Sequence, residues 1–281
     1  MKMKHLNLTK PASSLRRVGA LALAAAVLPL IAGHGAAWGQ QPAAKPASAS
    51  MAASAPADDS INPAAIDALK SMGAYLRTLK SFSVRSEATT DEVLESGQKV
   101  QFANTVDIRA RLPDRVRIDV NSDRKSREIY YDGKTVTQHA PRVKYYATFA
   151  APATVRETLK AAASKYELDV PLADLFYWGS DQSGIDNIKS AIYVGPSKVA
   201  TVECDHYAFR QAGVDWQVWI ETGKTPLVRK LVITTLDEPS QPQYTAILHW
   251  DLKTPPTDKA FSFVPPKGAM KIEMATAAAA K

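Results

Sequence analysis

From Gln101 to Leu112 the even positions Phe102, Val106, Ile108, Ala110 and Leu112 are apolar, while Gln101, Thr105, Asp107, Arg109 and Arg111 are polar. Side chains alternate faces along a strand, so period two predicts a β-strand with one dry and one wet face. The same parity returns in Val116, Ile118 and Val120 after the turn signal Pro113-Asp114. It continues in Val143, Tyr145, Ala147 and Phe149, in Trp216, Val218 and Ile220, and in Tyr244, Ala246, Leu248 and Trp250. With Ser96-Gly97 and Asp132-Gly133 as turns between strands, the pattern predicts an antiparallel meander. Such a sheet must close on itself or be covered, because an open edge pairs with other chains.

Two helical stretches supply the cover. Asn62 caps and Pro63 starts a helix whose Ile66, Leu69, Met72, Leu76 and Leu79 recur at steps of three and four. In mid-chain, Thr154 and Glu157 form a capping box ahead of Val155, Leu159, Ala162 and Tyr166. A second short helix is expected after Pro171, carrying Leu172, Leu175, Phe176 and Trp178. Helix, strands, two helices, strands is an α+β order.

The first 39 residues read differently. Lys2, Lys4, Lys10, Arg16 and Arg17 precede an apolar run from Val18 to Ala32, with Ala37 and Gly39 following and no Asp or Glu throughout. A run of about fifteen residues is short for a membrane span and fits a cleavable secretory signal, residues 1–39, with cleavage after Gly39 or Ala37. Arg16-Arg17 also hints at twin-arginine export. No Cys stands just after the run, so an amino-terminal lipid anchor is not expected there, and no later segment is apolar for eighteen residues, so a transmembrane anchor after signal cleavage is not expected either. Residues 40–60, rich in Pro, Ala and Ser, read as a disordered linker, residues 61–272 as one folded domain, and residues 273–281 as a disordered tail.

Charge is largely a leader effect. The chain has 35 Lys and Arg against 28 Asp and Glu, and without the five leader bases the balance is 30 to 28. A nucleic-acid partner needs clustered cations at several phosphates, so none is expected.

Catalytic signatures are absent. His139, His206 and His249 stand outside any His-x-x-x-His or His-Glu pattern. Cys204 and His206 share a strand face but lie about 7 Å apart at their α-carbons and diverge, which disfavours a thiol–imidazole pair. Asp58-Asp59, Asp91-Glu92 and the Gly179–Gly184 loop lack the second signal that a carboxylate dyad or calcium loop requires. Neither catalytic residues, a metal nor a cofactor is expected.

Several segments resemble a known group. Leu79-Lys80-Ser81-Phe82-Ser83-Val84, Arg111-Leu112-Pro113-Asp114-Arg115-Val116-Arg117 and Tyr131-Asp132-Gly133-Lys134 look like successive openings in LolA/LolB-type lipoprotein carriers. Phe261-Ser262-Phe263-Val264-Pro265-Pro266-Lys267-Gly268-Ala269 is similar to their closing strand. More closely, Cys204-Asp205-His206-Tyr207-Ala208-Phe209-Arg210 and Asp215-Trp216-Gln217-Val218-Trp219-Ile220 resemble a family of predicted periplasmic proteins in that superfamily. The resemblance implies an incomplete antiparallel β-barrel, a half-barrel with an N-terminal helix and a helical lid. Carriers of this type shield acyl chains of lipoproteins crossing the periplasm, without chemistry.

The expected ligand is therefore a lipid, acyl chain or other hydrophobic molecule, with envelope lipoproteins as partners. Candidate lining residues are Phe102, Val106, Ile108, Ile118, Tyr145, Phe149, Trp216, Val218, Leu248 and Trp250 on the sheet, with Leu175, Phe176 and Trp178 on the lid. Each sheet position serves equally as core beneath the first helix. The alternative function is a periplasmic protein-binding or sensor module that presents the same sheet to a protein partner.

Overall fold

A computed structural model describes residues 60–276. The signal, nearly all of the linker and the end of the tail lie outside the described residues. Helix α1 spans Pro63–Thr78, with the Asn62 side chain accepting the Ala64 N–H at 2.9 Å. Six strands follow: β1 Ser81–Val93, β2 Lys99–Arg111, β3 Arg115–Ser122, β4 Ser126–Tyr131, β5 Thr135–Ala140 and β6 Tyr145–Ala150. Helix α2, Val155–Tyr166, interrupts them before β7 Ser190–Val199, β8 Val202–Gln211, β9 Val214–Glu221, β10 Val228–Thr235 and β11 Gln243–Asp251. A two-residue strand β12, Met270–Lys271, comes last.

All twelve strands form one sheet in the order β12-β6-β5-β4-β3-β2-β1-β11-β10-β9-β8-β7. Two antiparallel meanders, β1–β6 and β7–β11, are joined where β1 pairs with β11, and β12 pairs parallel to β6. The sheet is thus open, with β12 and β7 at its edges. Strand β7 is blunted as edge strands commonly are, by a bulge between Tyr193 and Gly195, by Pro196 and by the exposed Lys198. A parallel bridge from Ile61 to Ala191 adds to the same edge.

The expected alternation sorts correctly. Val84, Val106, Ile108, Ile118, Ile129, Val136, Val218, Leu231 and Leu248 point to one face and join a single core cluster with Leu69, Met72 and Leu76 of α1. Burying each such side chain contributes roughly 1.5–3 kcal/mol, which fixes α1 on that face. Two expectations need adjustment. Val143 lies outside β6 and is exposed, because Pro141–Lys144 forms the turn after β5. The short helix after Pro171 is a single 3₁₀ turn, Ala173–Phe176, entered through Leu172 in the left-handed region.

The opposite face is covered in part by the chain's own end. Phe263 packs on Tyr130, His139 and Tyr146 with ring centroids 5.3, 5.3 and 5.1 Å away. Beneath this cluster, Glu128 accepts from the Tyr130 hydroxyl at 2.9 Å and meets His139 Nδ1 at 2.9 Å.

Candidate ligand site

Residues 151–189 connect β6 to β7, two strands near opposite ends of the sheet order. Their apolar side chains, among them Val155, Leu159, Leu168, Leu175 and Phe176, belong to the same core cluster as the strand residues. The N-cap half of the expected capping box forms: Thr154 Oγ1 accepts the Glu157 N–H at 3.3 Å, while Glu157 Oε2 accepts from the Thr154 hydroxyl at 2.8 Å instead of from its backbone N–H. The Val155 N–H then donates to the Pro113 carbonyl at 2.8 Å, tying the start of α2 to the β2–β3 turn. Further along, the Arg127 guanidinium donates to the Asp169 carbonyl at 2.5 Å.

Two cavities flank Trp178. The first, of about 290 Å³, lies among the end of α1, the start of β1, the Leu112-Pro113 turn, the first residues of α2 and the 3₁₀ turn. Leu76, Leu79, Phe82, Val155 and Phe176 supply its apolar wall, and Arg77, Lys80 and Arg156 also line it. The second, of about 300 Å³, lies between α2 and residues 168–183, with Leu159, Leu168, Val170 and Tyr177 beside Asp169 and Asp174. Enclosure pushes the Asp174 carboxyl up to about 6, chiefly by desolvation, with the Asp169 charge adding to it. Burial also raises Asp169, against the opposing charge of Arg127.

Among the described residues, Arg127 Nε, Gln138 Oε1 and Trp216 Nε1 are buried on the core face without a hydrogen-bond partner, and Ser86 Oγ and the Tyr244 hydroxyl are buried there beside one another. Leaving such a group unpaired costs about 1–3 kcal/mol, so this face has hydrogen-bonding capacity to spare. Burial holds the Tyr244 phenol well above its ordinary range, beside Ser86.

Of the residues expected to line a site, Leu175, Phe176 and Trp178 line the first cavity, and Trp178 the second as well. Val106, Ile108, Ile118, Val218 and Leu248 are sealed in the core at 0–1 % exposure. Phe149 packs tilted against Tyr166 at 4.1 Å, Trp216 stacks on Phe209 at 4.3 Å, and Trp250 Nε1 donates to the Val228 carbonyl at 2.8 Å. Phe102 is covered by the Arg124 guanidinium at 4.6 Å, and Tyr145 is exposed at the β12 edge. None of these ten sheet residues lines either cavity. Phe82 and the basic trio were not singled out as lining residues, although Leu79-Lys80-Ser81-Phe82 carried part of the family resemblance. Asp169 and Asp174 had no sequence signal.

The weighed catalytic groups sit on the outer face. His206 stacks on Trp219 at 3.9 Å and bonds Gln217 Oε1 at 3.0 Å, and burial lowers its pKa. His249 lies on β11, with β9 and β10 between it and His206, so the two do not meet. The Cys204 thiol donates to the Val202 carbonyl at 3.6 Å and is pushed up by burial. Among the described residues no three His, Cys, Asp or Glu side chains gather as metal ligands, and no helix is long and apolar enough to cross a membrane.

Comparison with known proteins gives one family match. The model of the family described as predicted periplasmic protein (DUF2092) matches residues 65–275. No curated protein sequence matches the chain. Among solved structures it is similar to LprF from Mycobacterium bovis, at 12% identity and a TM-score of 0.42 over 75% of this chain and 100% of that one. It is also similar to the lipoprotein LppX from Mycobacterium tuberculosis, at 10% identity and a TM-score of 0.41 over 67% and 94% of the chains. A LolA superfamily protein from Nitrosomonas europaea is similar at 9% identity and a TM-score of 0.31, over 71% and 97%.

Proposed function

The chain belongs to the DUF2092 family of predicted periplasmic proteins, and from that premise we propose that it binds or carries a hydrophobic ligand in the periplasm, without catalysis. The ligand is an acyl chain, presented by a lipid or by an envelope lipoprotein. The sheet acts as a half-barrel and residues 151–189 as its lid.

The observation that carries this reading is the apolar cavity at the lid seam. At about 290 Å³ it sits at the low end of ligand pockets, about 300–1,000 Å³. Taking about 30 Å³ per methylene-sized group, the liquid-volume share of a water molecule, it holds roughly ten such groups. One acyl segment fits, and a two-chain lipid does not unless the lid lifts. Leu76, Leu79 and Phe82 belong to the α1–β1 wall, whereas Val155, Leu175 and Phe176 belong to the lid, so lid displacement enlarges the cavity along its apolar side.

Native mass spectrometry of protein recovered from the periplasm tests the proposal. A co-purified acyl-bearing molecule, released by mild denaturation, is the expected result. Protein that emerges without one, and that takes up neither fatty acids nor single-chain lipids on incubation, rules the proposal out.

A further inference from the structure

We infer that the cavity beside α1 selects an anionic amphiphile, with its carboxylate or phosphate head held by Arg77, Lys80 and Arg156 at the rim and its chain inside. This inference rests on the ligand-binding reading above and names the head group which that reading leaves open.

The two cavities differ in sign. Every ionisable side chain lining the first is basic, namely Arg77, Lys80 and Arg156, and no Asp or Glu lines it. The second carries Asp169 and Asp174 against Lys160. Trp178 stands between them and lines both.

The three cations are also available. Among the described residues none of them has a side-chain hydrogen bond or an ion pair, although thirteen other cations, counting His139, do. Two acids adjacent in sequence to lining residues are engaged elsewhere: Asp114, next to Pro113, pairs with Arg115 at 2.7 Å, and Glu157, next to Arg156, accepts from Thr154 at 2.8 Å. Arg77 and Lys80 are exposed and Arg156 half-buried, and all three line the cavity; long basic side chains of this kind lay an apolar stem along a wall and keep the charge toward water.

Three like charges around an apolar mouth repel one another and are relieved by an anion. Guanidinium groups suit the task because their planar donors match two oxygens of a carboxylate or phosphate at once. Arg77 adds a second benefit to the fold, since it lies in the last turn of α1, where a cation faces the negative end of the helix dipole.

The test compares three probes of equal chain length on the intact protein: a saturated fatty acid, the corresponding fatty alcohol, and a lysophosphatidylglycerol. Affinities are read by displacement of a fluorescent neutral lipid. The expected result is at least tenfold tighter binding of one or both anions than of the alcohol, with the advantage shrinking in 0.5 M salt. The tighter of the two anions identifies the head group. In Arg156→Gln with Lys80→Gln the anion advantage over the alcohol falls to less than threefold, while the melting temperature is unchanged. Equal binding of acid, lysophospholipid and alcohol by the wild type overturns the inference but leaves the ligand-binding reading standing. Failure of all three to bind overturns both.

Discussion

Gly73 of α1 and Gly179 of the segment between β6 and β7 meet backbone to backbone. A β-carbon placed on Gly73 would stand 2.5 Å from the Gly179 nitrogen and 2.6 Å from its α-carbon, closer than real side chains approach. Gly179 has φ of +75° and faces the Gly73 backbone in return, so neither position has room for a side chain. This is where the segment proposed as a lid meets the helix. Gly73→Ala is therefore expected to destabilise the protein by about 1–3 kcal/mol and to speed ligand exchange by lifting the lid. Urea unfolding and stopped-flow ligand release measure the two effects; an alanine tolerated without either would mean that the contact does not hold the lid down.

Filling the first cavity separates ligand binding from folding. Leu79, half-buried at the end of α1, lines the space from its open side. Leu79→Trp is expected to reduce acyl-ligand affinity at least tenfold while costing less than about 2 kcal/mol of stability, since the ring enters existing volume. Isothermal titration beside thermal denaturation reads both, and unchanged affinity would place the ligand elsewhere.

Asp174 makes stability pH-dependent. Its folded-state pKa of about 6 exceeds the ordinary 3.8, so the native state holds the proton more tightly than the unfolded chain does. Its unfavourable contribution is absent below about pH 4, grows as pH rises through 6, and is complete above that. Asp174→Asn should accordingly stabilise at pH 7.5 by on the order of 1–2 kcal/mol and have little effect at pH 4. Denaturation midpoints at the two pH values decide it, and an equal effect at both would count against this assignment.

On the outer face, Phe263 anchors the C-terminal strap to Tyr130, His139 and Tyr146. Phe263→Ala should lose about 2–4 kcal/mol, close to the usual cost of truncating a packed aromatic, yet leave ligand affinity unchanged because the cavities open on the other side of the sheet. Loss of binding in a protein that still folds would contradict that division of faces.

Much of the fold is legible in the chain because burial on one side of a sheet imposes period two, and β2, β3, β9 and β11 obey it. Strand β1 is the instructive exception. Its core-facing positions Phe82, Val84, Ser86 and Ala88 are buried at 0–4 %, but two of them are small or polar, so the alternation fades just where the two meanders join. Strand β5 is hidden differently: Thr137 and His139 face outward yet are buried, at 6 % and 4 % exposure, and a two-sided strand loses its wet parity. Helix α2 was marked by Thr154 and Glu157, a purely local signal. The cavities were not, because they depend on which turn meets which helix end. Arg77, Lys80 and Arg156 are scattered in sequence and become one rim only after α1 and α2 converge on the Leu112-Pro113 turn.

The central claim, that one acyl chain is sheltered beneath the lid, is tested most directly by calorimetric titration of the periplasmic protein with a single-chain fatty acid. Saturation at one ligand per chain, with the negative heat-capacity change of apolar burial, is the predicted result. A flat titration across chain lengths, or a heat-capacity change near zero, would contradict it.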